Sequence, residues 1–337
     1  MRLEKRPVSD ALGTILMHNV ADATGSRSLK KGTFLTEEHL AQLAEMGRAS
    51  VDVAALDVDD VHEDEAAAIL ARALESEPLY LSRPAGGRVN LRTRLDGLLE
   101  VDAEQLLQLN LIPGITLATR RPQTVVGPHQ ETDNVATVKI IPFAVPRRFL
   151  DQAVALAERR PGIVEVRPFQ PGRRVAMLLV GEPATHDRLR NEYLPATQTR
   201  LERLQADLVT HEAVVQESAA IGQAACRLSE TVDLIIIAGQ TSVQDEDDTI
   251  LCGLRLAGAE ATLSGAPVEP GNLLALAYFP RTPVLCAPGS AKGLKRSSVD
   301  LVLPRLLLGD RLDRRDVAAL GLGGFLTPAE RGGDLTQ

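Results

Sequence analysis

Asp233-Leu234-Ile235-Ile236-Ile237-Ala238-Gly239 is an unbroken aliphatic run between an acidic residue and a glycine. A strand with one wet face alternates polar and apolar side chains, whereas a run like this is covered on both faces. Working outward, Arg174-Val175-Ala176-Met177-Leu178-Leu179-Val180-Gly181 has the same character. Between the two runs lie a helical stretch, Thr185 to Leu204, with an interruption expected near Pro195, then a strand and turn from Asp207 to Val215 and a helix from Ser218 to Leu228. Beyond Gly239 the pattern predicts a helix from Thr249 to Leu256 stopped by Gly258. Short strands follow at Leu273–Tyr278 and Pro283–Cys286, then a last helix around Ser297–Leu308. Buried strands alternating with helices specify an α/β domain, a three-layer and mostly parallel sheet, over 172–308.

The chain has 337 residues, more than one ordinary core holds. We divide it into an N-terminal α+β segment (1–62), a β-rich α+β middle domain (63–171), the α/β domain (172–308) and a C-terminal tail (309–337). In the first segment Thr36 is placed to cap a helix from Glu37 to Met46, with Gly47 as its stop, and Val51–Leu56 reads as a short strand. The acidic run Asp57, Asp59, Asp60, Glu63, Asp64 and Glu65 reads as a solvated helix N-terminus. In the middle segment a helix from Glu65 to Leu74 precedes strand-like pieces, with a hairpin turn signal at Asp96-Gly97. A helix from Arg148 to Glu158 ends before Pro161-Gly162.

Aromatic residues make up 3% of the chain and the net charge is -8, which together argue against a nucleic-acid surface built on base stacking and a positive field. Cys226, Cys252 and Cys286 are far apart and form no CxxC pair, so reduced thiols and a cytoplasmic location are expected. No stretch approaches the ~18 apolar residues that span a bilayer, so no membrane association is expected.

In open α/β sheets ligands bind beyond the carboxyl ends of the strands. Two loops qualify. The first runs from Ala238 to Asp248: Gly239 permits close backbone approach, Thr241 and Ser242 offer hydroxyls, and Asp245 and Asp247 offer carboxylates for Mg²⁺ or a polar ligand. The second is Ala287-Pro288-Gly289-Ser290-Ala291-Lys292-Gly293, read as a strand-to-helix turn whose amides and Lys292 suit an anion.

Taken together, these loops resemble the molybdopterin-binding domains of molybdenum-cofactor biosynthesis, the MogA/MoaB-like family related to the MoeA molybdotransferases. The stretch from Asp233 through Gln240-Thr241-Ser242 to Asp247 is similar to the family's D-L-(I/V)-(I/V)-(T/S)-(S/T)-G-G-x-S-x-G-x-x-D pattern. Pro270-Gly271-Asn272 and Pro288-Gly289-Ser290 are similar to its two later Pro-Gly turns. Leu29-Lys30-Lys31-Gly32-Thr33 looks like a segment that precedes the binding domain in MoeA proteins. The likeness is clear over 172–308 and faint over 1–56.

The resemblance implies that Gly239, Gln240, Thr241 and Ser242 line a pterin and its terminal phosphate, and that Pro288, Gly289 and Ser290 form a second wall with Lys292 nearby. Gly181 and Glu182 would contribute from the first loop of the domain. Asp247 would match the family's catalytic acid, with Asp245 and Asp247 as Mg²⁺ ligands. The implied ligand is molybdopterin or the molybdenum cofactor. The implied partners are molybdoenzymes or other cofactor-biosynthesis proteins, and a homo-oligomer is expected. Several positions depart from the family: Gln240 and Gln244 stand where it has glycine, Ser290-Ala291 where it has Asn-Pro, and Gly181-Glu182-Pro183 where it has a Thr-Gly-(Asp/Asn)-Glu loop. These departures favour a binding or carrier role. A Mg²⁺-dependent molybdotransferase and a non-catalytic scaffold with a degenerate site are the other readings.

Overall fold

The computed structural model describes residues 1–327 apart from 23, 26, 27 and 130–132. The chain divides into two compact units, Met1–Arg167 and Pro168–Gln337.

The second unit opens with β1 (Arg173–Val180), α1 (His186–Arg203), β2 (Ala206–Val214), α2 (Ser218–Ser229) and β3 (Leu234–Gly239). It continues through α3 (Thr249–Leu256), β4 (Glu260–Ser264), β5 (Ala275–Tyr278), β6 (Pro283–Cys286), α4 (Ser298–Leu307) and α5 (Arg314–Ala319). Its six strands lie in the order β2-β1-β3-β6-β5-β4. The β1–β2, β1–β3 and β3–β6 pairs are parallel, while β5 runs antiparallel to both β6 and β4. The mostly parallel α/β sheet expected from the two aliphatic runs is therefore present.

The register explains why those runs lack alternation. Ala176, Leu178 and Val180 of β1 and Ile235 and Ile237 of β3 share a core with Ile221, Ala224 and Ala225 of α2 and Leu251 and Leu254 of α3. The intervening residues Val175, Met177, Leu179, Leu234 and Ile236 are equally buried, and α1 packs against these same strands. With side chains alternating between faces, both layers must be apolar, and each fully buried Leu or Ile contributes about 1.5–3 kcal/mol.

Three local readings need correction. First, α1 runs unbroken through Pro195. A proline removes one helical hydrogen bond, but Leu189, Tyr193, Ala196, Thr197, Arg200 and Leu201 are buried on both sides of it and hold the segment to one course. Second, β4 lies in a stretch to which the sequence assigns no element, because its antiparallel pairing with β5 is a contact with no local signature. Third, the tail is held to the unit as far as Leu326, which is buried, although Leu322 and Phe325 are exposed. The Leu312 amide donates to the Tyr278 hydroxyl (2.9 Å), Arg305 pairs with Asp316 (3.0 Å), and Val317 is buried. The rest of the tail, 328–337, lies outside the described residues.

In the first unit, strands Arg2–Pro7, Ser50–Ala55 and Ile15–Leu16 form an antiparallel sheet. The helix Glu37–Glu45 packs beside it, with Thr36 as its N-cap. A four-stranded sheet (Ile115–Thr119, Asn134–Ile140, Arg88–Thr93, Leu79–Leu81) shares a core with helices Glu63–Leu74 and Arg147–Ala157. The acidic run is not wholly solvated: Glu63 is buried against Lys139 at 3.3 Å, and Asp64 accepts the Gly87 amide at 2.6 Å. Asp96-Gly97 does not close a hairpin, because Arg88–Thr93 and Gly97–Val101 belong to different sheets. Gly97 is required instead by close approach, since a Cβ there would lie 2.5 Å from the Arg167 carbonyl oxygen.

Two packing contacts in the second unit yield measurable expectations. Helices α2 and α3 cross at glycines, where a Cβ on Gly222 would stand 2.4 Å from the Gly253 carbonyl oxygen. Gly222→Leu is expected to destabilise the unit by about 1–3 kcal/mol through overpacking, read from urea unfolding. Arg200 of α1 is nearly inaccessible, paired with Asp300 at 2.8 Å and donating to the carbonyls of Ala291 (3.1 Å) and Gly293 (2.8 Å). Arg200→Ala leaves the Asp300 carboxylate without its cationic partner and both carbonyls without that donor, and about 3–5 kcal/mol of stability is expected to be lost in the same assay.

Candidate functional site

The chain leaves β1 towards β2 on one side, and leaves β3 for β4 at the far edge on the other. The carboxyl ends of β1 and β3 therefore flank the point where the strand order reverses, and an open α/β sheet forms its ligand crevice there. Residues 181–185 follow β1, residues 240–248 follow β3, and residues 287–293 follow β6. All the candidate residues of the second unit fall in these three loops or at the strand ends that carry them.

Gly239 ends β3. A Cβ there would come within 2.4 Å of the Thr241 carbonyl oxygen, so the backbone turns back on itself with no room for a side chain. Gln240, next in sequence, reaches across the crevice. Its Oε1 accepts the Glu182 amide (3.0 Å) and lies 3.2 Å from the Thr185 hydroxyl. Its Nε2 donates to Gln216 Oε1 at 2.9 Å. Gly181 leaves the space this needs, since a Cβ on it would stand 2.9 Å from Gln240 Oε1 and 2.6 Å from Thr185 Oγ1. His186 Nε2 lies 2.8 Å from the Gly181 carbonyl and carries the proton, because that oxygen can only accept. Thr185, Gln216 and His186 carry no motif, so sequence reasoning misses them as neighbours of the crevice. Their position follows from the β2-β1-β3 order, which no local pattern encodes.

The two walls expected from sequence meet at one bond: the Gly289 amide donates to Ser242 Oγ at 3.0 Å. Thr241 is exposed, Pro288 is buried, and Gly289 is exposed. Ser290 Oγ is buried with no hydrogen-bond partner, an unsatisfied polar atom in the second wall. That wall is a short 3-10 turn, Gly289–Lys292, and α4 begins only at Ser298, so the loop does not open directly into a long helix. Lys292 is engaged with its own domain. Its ammonium lies 2.8 Å from Glu192 and 5.4 Å from the Tyr193 ring centroid, and its hydrogen bond holds the Glu192 carboxyl below the usual range.

The acidic part of the first loop folds on itself. Asp245 Oδ1 accepts the Asp247 amide at 2.9 Å, and Asp248 caps α3 by accepting the Ile250 amide at 2.9 Å. Asp247 is exposed. Among the described residues no group of three His, Cys, Asp or Glu side chains is arranged to hold a metal ion. Cys286 closes β6 beneath these loops; burial, with the Asp248 charge, pushes its thiol up to about 12, so it stays protonated and is no nucleophile. Among the described residues no helix is long and apolar enough to cross a membrane.

Comparison with known proteins bears on the segment that carries these loops. Residues 176–307 match a family described as "Probable molybdopterin binding domain", and residues 5–55 match a domain of unknown function. A search of curated proteins finds no match. Among solved structures, the chain is similar to a molybdenum cofactor biosynthesis protein from Pyrococcus furiosus, at 12% identity and a TM-score of 0.26, over 94% of this chain and 65% of that one. The chain thus spans just under two thirds of that protein's length. It is also similar to the molybdopterin biosynthesis enzyme MoaB from Thermus thermophilus (22% identity, TM-score 0.33, 41% of this chain and 98% of that one). A third similar structure is a molybdopterin biosynthesis MoeA protein from Pyrococcus horikoshii (13% identity, TM-score 0.31, 91% and 75%). The family match runs from Ala176, within β1, to Leu307 at the end of α4, so this segment is similar to the molybdopterin-binding domains of molybdenum-cofactor biosynthesis.

Proposed function

We propose that the second unit binds molybdopterin or the molybdenum cofactor over the carboxyl ends of β1, β3 and β6, and that the protein serves as a carrier or accessory factor. The observation that carries this reading is the junction of the two loops through Ser242 and Gly289, beside the sheet's switch point and inside the segment that matches the family. Thr241, Ser242, Pro288, Gly289 and Ser290 would line the ligand. The unsatisfied Ser290 hydroxyl and the exposed Thr241 hydroxyl suit a polar pterin edge or phosphate oxygen. Gly181, Glu182, Gly239 and Gln240 would form the floor between β1 and β3, with Lys292 at the rim. The carrier would pass its ligand to a molybdoenzyme or another cofactor-biosynthesis protein in the cytoplasm, acting as a homo-oligomer.

A binding role is preferred to a transferase role on chemical grounds. Phosphoryl and oxyanion chemistry needs concentrated positive charge or metal at the reacting oxygens. Here Lys292 is already paired, and Asp245 spends an oxygen on its own loop.

Protein purified from a host that makes the cofactor, then oxidised, is expected to release a fluorescent pterin. Absence of that fluorescence, together with no uptake of added molybdopterin, would contradict the reading. Gly289→Trp is expected to weaken molybdopterin binding at least about tenfold, equivalent to about 1.4 kcal/mol, by filling the second wall. Asp247→Asn is expected to leave affinity and transfer to an acceptor enzyme within about twofold, because a single exposed carboxylate contributes little to binding. A large loss of transfer with binding intact would instead favour the transferase.

A further inference from the structure

We propose that Gln240 is the specificity-determining residue of the crevice, holding with its own carboxamide oxygen the position that an oxyanion would otherwise take. This inference rests on reading the switch-point crevice as the ligand site.

Backbone amides beyond a strand end are the usual donors for an anionic group. After β1 the Glu182 amide donates to Gln240 Oε1 at 3.0 Å, while the Thr185 hydroxyl, which donates to the Glu182 carbonyl at 2.8 Å, lies 3.2 Å from the same oxygen. The other half of the carboxamide is also fixed. Its Nε2 donates to Gln216, and Gln216 in turn reaches the Thr241 hydroxyl at 3.5 Å. Thr185, Gln240, Gln216 and Thr241 thus form one polar chain across the ends of β1, β2 and β3. The arrangement is tight, because Gly181 leaves no space for even a methyl group beside the carboxamide oxygen. An amide oxygen here carries no net charge, so the fold needs no cation to balance it. The nearby Lys292 ammonium is committed to Glu192.

An oxyanion can reach the Glu182 amide only if the Gln240 side chain swings out. That exchange gives up the hydrogen bonds at both ends of the carboxamide, and each such bond is worth roughly a fewfold in an equilibrium constant. The crevice therefore discriminates against small phosphate-like anions. It yields to a ligand that gains enough contact elsewhere, on the Thr241–Ser242 and Pro288–Ser290 walls, to displace the plug. Release becomes easier for the same reason, because the returning carboxamide competes for the vacated donors. That property suits a protein that hands its ligand on.

The test titrates inorganic phosphate into full-length wild type, Gln240→Ala, Gln240→Gly and Gln240→Glu, following the Glu182 backbone amide by ¹⁵N NMR. Wild type is expected to shift weakly. The Ala and Gly variants should show a saturable shift with affinity at least about tenfold tighter. The Glu variant retains an oxygen at the same position and adds a negative charge, so it should bind no better than wild type. Equal phosphate affinity in all four proteins, no saturable shift in any of them, or tight binding by the Glu variant would overturn the proposal. Molybdopterin binding is measured separately on wild type and Gln240→Ala, so loss of the carrier reading and loss of the Gln240 assignment remain distinguishable. Phosphate affinity that rises in the variants while molybdopterin fails to bind would retain the plug and discard the carrier. Molybdopterin that binds wild type and Gln240→Ala equally well would do the reverse.

Discussion

The second unit depends on the burial of β3 on both faces. Leu234, Ile235, Ile236 and Ile237 are at most 2% exposed, so their polar neighbours are forced to the ends of the strand. The polar groups at its carboxyl end emerge in the loop after Gly239, beside the loop after β1. A strand this apolar must also have a parallel partner on each side and helices above and below. The site is a consequence of that requirement: the crevice exists because β1 and β3 are adjacent while their connections depart in opposite directions.

What the loops then do with their polar groups sets this chain apart from a simple anion cradle. Ser242 and Gly289 satisfy one another, Asp245 and Asp248 satisfy their own backbone, Lys292 satisfies Glu192, and Gln240 satisfies Glu182. The exposed Thr241 accepts only a long bond from Gln216, and the Ser290 hydroxyl is buried without a partner. A site with most of its donors internally matched is pre-organised but not strongly charged. It gains affinity from shape and from hydroxyl contacts rather than from a positive field.

Much of this is legible in the sequence, and the limits have physical causes. The aliphatic runs of β1 and β3 and the glycines that end them are local patterns, and both fall within a residue of their positions in the structure. The helix carrying Pro195 reads as broken because proline's cost is local, whereas the burial of Tyr193, Ala196 and Arg200 that outweighs it is tertiary. Strand β4 and the packed part of the tail escape a sequence reading because both are made by long-range pairing, with Ala275–Tyr278 and with the Tyr278 hydroxyl. In the candidate site, Gly239, Thr241, Ser242, Pro288 and Gly289 are legible as loop residues after strand ends, whereas Gly181 and Gln240 enter through the family resemblance. The partnership of Gln240 with Gln216 and Thr185 cannot, because it joins three loops through a strand order that the sequence does not spell out.

The central claim is that a pterin occupies the carboxyl ends of β1, β3 and β6. A crystal structure of the full-length protein with molybdopterin bound tests it most directly. The ligand is expected to contact Thr241 and Ser242 on one wall and Pro288, Gly289 and Ser290 on the other, with the Gln240 side chain displaced from Glu182. Molybdopterin bound on another surface, with Gln240 still hydrogen-bonded to Glu182 and Gln216, would contradict the account.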